Sequence, residues 1–136
     1  MESALTYELE NRIPEFAPVY DSDGELEKWF IYPTNAPETA TKPYLVYARI
    51  NTNRTKLLDG YTDKQALTFM FSIMATKYGA MKSLTRKVED FLLSTPRTTI
   101  GEENILVEDI KINNIHEVYE HELKVNRGII DFTIYI

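Results

Sequence analysis

Residues 66–75 alternate between large apolar side chains and smaller or more polar ones. Leu67, Phe69, Phe71 and Ile73 fall on one side of an extended chain, and the intervening residues fall on the other. A period of two is typical of a β-strand that places one face against a hydrophobic core. The chain therefore contains a sheet, and other elements have to cover one face of that sheet.

Two amphipathic segments are available to cover it. The first spans residues 3–13, with Ser3 as a candidate N-cap and Pro14 as a stop. The second spans residues 77–94, with Thr76 as a candidate N-cap. In both segments apolar residues recur at three- or four-residue spacing, which predicts helices with one apolar face each.

The remaining apolar segments predict strands over residues 29–32, 44–51, 105–112, 115–125 and 129–136. Residues 126–128 are expected to connect the last two strands as a hairpin, because they are few and include a glycine. Residues 33–43, with three prolines, predict a loop.

The resulting order is α-β-β-β-α-β-β-β, in which only one helix lies between strands. The repeated βαβ pattern of a doubly wound fold is therefore missing. We expect an α+β fold, with a mostly antiparallel sheet and both helices packed on one face. Residues 1–136 contain no linker and predict a single domain. The other sheet face keeps apolar residues, which favours an interface there.

Several kinds of chemistry are excluded or disfavoured. The chain has no cysteine, which excludes disulfides, thiolate nucleophiles and cysteine-bound zinc. His116 and His121 are five residues apart, a spacing at which neither a strand nor a helix brings both rings to one ion. The acidic segment 21–25 predicts a turn, since it lacks the later positions of a calcium loop. We therefore expect no catalytic site, no metal and no cofactor.

The net charge of −6 disfavours specific nucleic-acid binding, which usually needs a basic face. The polar, acidic start of the chain does not resemble a signal peptide, and no apolar run is long enough to predict a membrane helix.

Two groups of residues are candidates for an interface. Residues 51–64 predict a long hairpin connection, and long loops in compact domains are often functional. The basic face of the second helix is the other candidate. The predicted interface residues are Arg49, Asn53, Arg54, Lys56, Leu57, Leu58, Asp59, Lys77, Lys82 and Arg86. The plainer alternatives are a solvated helix face and leucines that fold back on the sheet.

Part of this pattern is characteristic of one family. It comprises Pro43-Tyr44 at the start of a strand, Asp59-Gly60 in the turn of an extended hairpin, the alternating segment 67–75, and Tyr78 early in the second helix. The final strand pair completes it. The chain resembles the tail completion proteins of long-tailed bacteriophages, which are also called tail terminator or tail-to-head joining proteins.

This resemblance implies a structural role in the virion. It implies a hexameric ring at the head-proximal end of the tail that stops tube growth and contacts the tail tube protein and the head connector or stopper protein. It also implies assembly in the host cytoplasm and DNA passing through the ring without specific binding. Two alternatives stay open: another tail or neck subunit of similar fold, and a small α+β ligand-binding regulatory domain.

Overall fold

The computed structural model describes residues 1–37, 40–57 and 60–136, and along 54–57 and 60–63 it describes the backbone. The described elements, in chain order, are α1 (Glu2–Arg12), a 3₁₀ helix (Pro14–Phe16), β1 (Val19–Tyr20), β2 (Leu26–Lys28), β3 (Ile31–Pro33), β4 (Tyr44–Leu57), β5 (Gly60–Ala75), α2 (Tyr78–Ser94), β6 (Thr98–Ile100), β7 (Ile105–Val107), β8 (Asp109–Glu120) and β9 (Val125–Tyr135). Neither described helix has the length and apolar character that a membrane crossing requires.

The main sheet has five strands in the order β3-β4-β5-β9-β8. Strand β3 runs parallel to β4, and the other neighbouring pairs are antiparallel. Strands β1 and β2 form a separate hairpin, and so do β6 and β7. The predicted α+β class, with a mostly antiparallel sheet, is confirmed.

One face of this sheet carries the main core. The alternating residues Leu67, Phe69, Phe71 and Ile73 of β5 are all buried, as their period predicts. The ring of Phe71 meets that of Phe132 in β9 edge to face, with 4.8 Å between centroids. Both helices bury their apolar residues in the same cluster, so the prediction that they share one face is confirmed.

The opposite face of the sheet is partly covered. Tyr44, Met74 and Val125 form a second, smaller buried cluster. Ala36 and Ala40, from the segment between β3 and β4, pack against it. The apolar residues that the sequence leaves on this face are therefore shielded at one end of the sheet by a segment of the chain itself.

Both helices begin one residue away from the predicted position. Helix α1 begins at Glu2, with Met1 as N-cap, so Ser3 is not the cap. Helix α2 begins at Tyr78 with Lys77 as N-cap, so Thr76 is not the cap. In both helices the first turn closes through the backbone, since the carbonyls of Met1 and Lys77 each accept an amide hydrogen bond four residues on. A capping side chain contributes only about 1 kcal/mol, so its presence does not fix a helix start.

The turn of the last hairpin lies earlier than the sequence predicts. The predicted connector, residues 126–128, is part of β9, and the turn is formed by residues 121–124. Lys124 takes a left-handed backbone conformation there, with φ of +52°, although it is not a glycine. The glycine that suggested a turn, Gly128, is instead required in the strand because α2 packs directly on it.

Other strands also differ in extent from the prediction. Residues 105–112 divide between β7 and β8, and β8 then continues to Glu120. The predicted strand 29–32 is found at Ile31–Pro33 and so includes a proline. Strand β3 is at the edge of the sheet, and a proline fits there because the free side of an edge strand needs no N–H donor. The short β1, β2 and β6 strands were not predicted because two or three residues show no measurable period.

The acidic segment that predicted a turn forms one between β1 and β2. The Asp21 carboxylate accepts backbone N–H bonds from Asp23 and Glu25, both at 2.9 Å. These two bonds stabilise the turn, which is a common role of aspartate side chains.

Candidate assembly interface

The hairpin formed by β4 and β5 extends beyond the rest of the main sheet. Pairing of β5 with β9 ends at Ala66 opposite Tyr135, and Gln65 then exchanges two backbone bonds of 3.0 Å with Ile136. Beyond that point β4 and β5 pair with each other, down to Leu57 opposite Gly60. We call residues 54–57 and 60–65 the arm.

The arm accounts for the long connection that the sequence predicts, but most of that segment is strand. The predicted strands end at residue 51 and begin at residue 66, whereas β4 continues to Leu57 and β5 begins at Gly60. Residues 60–65 read Gly-Tyr-Thr-Asp-Lys-Gln, so the alternating apolar pattern that reveals the rest of β5 is missing here.

The predicted interface residues near the arm have different positions. Asn53 is exposed, opposite Ala66 where the arm begins. Arg54, Lys56 and Leu57 occupy register positions on the arm, opposite Gln65, Tyr61 and Gly60. Leu58 and Asp59 lie outside the described residues.

Arg49 stands on the helix-covered face of the sheet. Its guanidinium lies 2.5 Å from a Glu2 carboxylate oxygen and 5.6 Å from the centre of the Phe69 ring. These contacts tie the start of α1 to the middle of the sheet. Arg49 is therefore engaged within the chain.

The basic residues of α2 are exposed near the other end of β5. Lys82 Nζ lies 3.3 Å from the Tyr78 hydroxyl and 3.6 Å from a Glu117 carboxylate oxygen. The hydrogen bond with Tyr78 and the charge of Glu117 raise the pKa of Lys82. Lys77 is exposed before the helix, and Arg86 is exposed one turn after Lys82.

The two groups of predicted interface residues therefore lie at opposite ends of the molecule. From Gly60 to Ala75 the strand β5 covers about 50 Å, at roughly 3.3 Å per residue. The arm lies at the Gly60 end. Helix α2 starts at the Ala75 end. The Lys82–Glu117 pair lies near the same end, because Glu117 of β8 pairs with Gly128 of β9, and Gly128 pairs with Ile73 of β5.

A groove that the sequence did not predict runs between α1, β3 and the β6–β7 turn. Its volume is about 730 Å³. Trp29 is 51 % exposed and Tyr7 is 41 % exposed, and both line it. The carboxylates that line it belong to Glu2, Glu10, Glu102 and Glu103. We call this the acidic groove.

The sequence places Trp29 at the start of the run Trp-Phe-Ile-Tyr, which predicts a strand but not which segments meet beside it. Trp29 and Glu102 are separated by 73 positions, so the groove exists only once the chain has folded.

Of the two histidines, His116 lies in β8 and His121 lies in the turn that follows it. His116 is on β8, with a ring nitrogen 3.2 Å from the Asn114 amide nitrogen, while the ring of His121 meets that of Tyr119 edge to face. In the described part of the chain no group of three or more histidine, aspartate or glutamate side chains could hold a metal ion.

Comparisons with known proteins agree with the architecture. The family model described as Tail completion protein gp17 matches residues 24–136. A chain in a solved structure entitled "Virion of native gene transfer agent (GTA) particle" aligns with a TM-score of 0.60 and 11 % identity, covering 78 % of this chain and 77 % of that one. At that identity the likeness is one of fold. A search of curated protein sequences gives no significant match.

Proposed function

The chain belongs to the family of the tail completion protein gp17 and is a structural protein of a phage-type tail, and from this we propose that it caps the head-proximal end of the tail tube and joins the tail to the head connector. In this role it acts without catalysis, stops tube growth when it binds, and works as part of the virion after assembly in the host cytoplasm.

The observation that supports this role is the separation along β5 between the arm and the exposed start of α2. A protein that joins two structures needs two binding surfaces that do not compete for space. The arm and the exposed start of α2 lie about 50 Å apart along one strand, at opposite ends of the molecule. We propose that one end contacts the tail tube and the other contacts the connector.

We further propose that copies of the chain form a closed hexameric ring through heterologous contacts, in which different patches of neighbouring copies meet. The net charge of −6 suits a ring through which DNA passes, because carboxylates repel phosphate. Firm DNA binding by the purified chain at physiological salt would contradict this part of the proposal.

The deciding experiment is electron microscopy of particles assembled with and without this protein. We expect tails of abnormal length, or complete heads and tails that fail to join, when the protein is absent. A tail tube subunit would behave differently, because its absence would leave no tubes at all. Normal particles in its absence would refute the proposed role.

Variants of the two ends sharpen this experiment. We expect Leu57→Asp with Leu58→Asp, and separately Lys77→Glu with Arg86→Glu, to impair assembly while the purified proteins keep their thermal unfolding midpoints. The matched control is Lys28→Glu with Lys111→Glu, which makes the same charge change as the helix pair at exposed residues of β2 and β8 outside both surfaces. If both test variants assemble normally, neither end is a joining surface.

A further inference from the structure

We propose that the acidic groove is a docking site for an arginine- or lysine-bearing segment of a neighbouring virion protein. This deepens the proposed function by naming the chemistry of one partner, and it rests on that function for the presence of neighbours. The groove is separate from the arm and from the basic residues of α2, because it is built from α1, β3 and the β6–β7 turn.

The aromatic walls of the groove suit a cation. Trp29 and Tyr7 line it and remain about half exposed, although aromatic side chains of this size are usually covered in a folded domain. The face of an aromatic ring attracts a guanidinium or ammonium group, and tryptophan does so best. Such a group would also cover the apolar surface that these rings leave in water.

The carboxylates supply the complementary charge. Among the described residues, Glu10, Glu102 and Glu103 have no ion-pair partner, whereas Glu2 is already paired with Arg49. Partial burial raises the pKa of Glu10, which shows that this carboxylate has lost part of its water. A cation in the groove would restore the interaction that burial removed.

The size of the groove and the charge of the chain favour a segment of another protein. About 730 Å³ lies within the range of sites that enclose drug-sized ligands, so there is room for several residues. A second copy of this chain is not the expected occupant, because the exposed basic residues of its α2 are proposed above to contact the tail tube or the connector. The net charge of −6 on this chain favours a basic partner of another kind. A basic partner gains from that same charge during approach.

The chain offers a direct readout, because Trp29 is its only tryptophan. The probe is an acetylated, amidated peptide of alternating glycine and arginine, titrated into the purified full chain while tryptophan emission is recorded, with calorimetry as a second measure. We expect a saturable change in Trp29 emission that weakens as salt rises. A peptide with glutamate in place of arginine should cause none.

Matched variants test whether the groove is the site. We expect Glu102→Gln with Glu103→Gln to weaken peptide binding about tenfold, since two charge contacts with the peptide are lost. Tyr7→Leu should weaken it as well, through the lost cation–π contact. The control is Asp23→Asn with Glu122→Gln, which changes the net charge equally at exposed turns and should bind the peptide like the parent chain.

Four results would overturn the proposal. Three of them are no peptide binding by fluorescence or calorimetry, equal weakening of peptide binding in the control variant, and an affinity for spermidine equal to that for the peptide. The fourth is a change in Trp29 emission as the protein concentration rises without peptide, if Glu102→Gln with Glu103→Gln abolishes that change. The last would assign the groove to a second copy. Peptide binding is measured without tails, so it can succeed even if the capping role fails.

Discussion

Gly128 of β9 lies directly against Thr85 of α2, so that a Cβ on Gly128 would come within 2.2 Å of Thr85 Oγ1. The Thr85 hydroxyl is held in place by donating a bond of 2.8 Å to the Met81 carbonyl. The same Cβ would lie 2.9 Å from the Met81 sulfur. The missing side chain of Gly128 therefore sets how closely α2 approaches the sheet.

Gly128→Ala should destabilise the fold by about 1–3 kcal/mol, because the helix must shift to admit the methyl group. Denaturant unfolding measures the loss. Thr85→Ala combined with Gly128→Ala should recover part of it, since the closest clash is removed. The control is Gly79→Ala, where no described atom lies within 4 Å of the new Cβ and no loss is expected. Equal stability of Gly128→Ala and the parent chain would contradict the close packing.

Gly101→Ala should cost more stability than Gly24→Ala. Both glycines have left-handed backbones, with φ of +76° and +80°, so alanine pays roughly 1–2 kcal/mol at either position. At Gly101 the new Cβ would also lie 2.6 Å from the Cβ of Ala4 in α1, whereas at Gly24 it would meet no described atom. Thermal unfolding of the two variants gives the comparison. Equal losses of stability in the two variants would show that α1 moves away from the new methyl group at no cost in free energy.

The ion pair between Glu15 and Lys87 should make a small, pH-dependent contribution to stability. The Lys87 amine donates to a Glu15 carboxylate oxygen at 2.7 Å, and this bond lowers the pKa of Glu15 below its ordinary 4.5. A lowered acid pKa means that the stabilisation is complete above pH 4.5 and is lost as the pH falls through the folded-state value.

Glu15→Gln should therefore lower the free energy of unfolding by less than about 1 kcal/mol at pH 7, because both groups are partly exposed. The difference from the parent chain should shrink in acid and in high salt. Urea unfolding at pH 7 and pH 3 measures it, with Glu25→Gln as an exposed control. A difference that grows in acid would contradict the assignment.

Arg49 and Arg86 should respond differently to the same substitution. Arg49→Ala removes the ion pair with Glu2 and the contact with the Phe69 ring, and should destabilise the fold by about 1–2 kcal/mol. Arg86→Ala removes an exposed side chain with no ion-pair partner among the described residues, and should leave stability unchanged. Chemical unfolding of both variants tests this, and equal effects would contradict it.

Much of the architecture could be predicted from local patterns. The alternation of residues 67–73 identifies both the strand and its buried face, because a side chain's face in a strand depends only on its position along that strand. The same holds for α2, where Leu84, Val88 and Leu92 recur at helical spacing and are all buried. Pro14 likewise ends α1, since proline cannot continue a helix.

The candidate interface was only partly predictable. The sequence does not show that the two predicted groups lie about 50 Å apart, on the arm and at the start of α2, or that Arg49 is engaged inside the chain. Side-chain chemistry is visible in a sequence, but the distance between two side chains remote in sequence is not.

The α+β class, the core face of β5 and the two helices can be read from the sequence alone, because they follow from periods of about two and 3.6 residues within single segments. Tertiary structure decided the rest. Gly128 lies in a strand because α2, more than thirty positions earlier, packs on it. The acidic groove exists because α1, Trp29 and Glu102 converge. Both depend on contacts between distant segments, and such contacts leave no local period to detect.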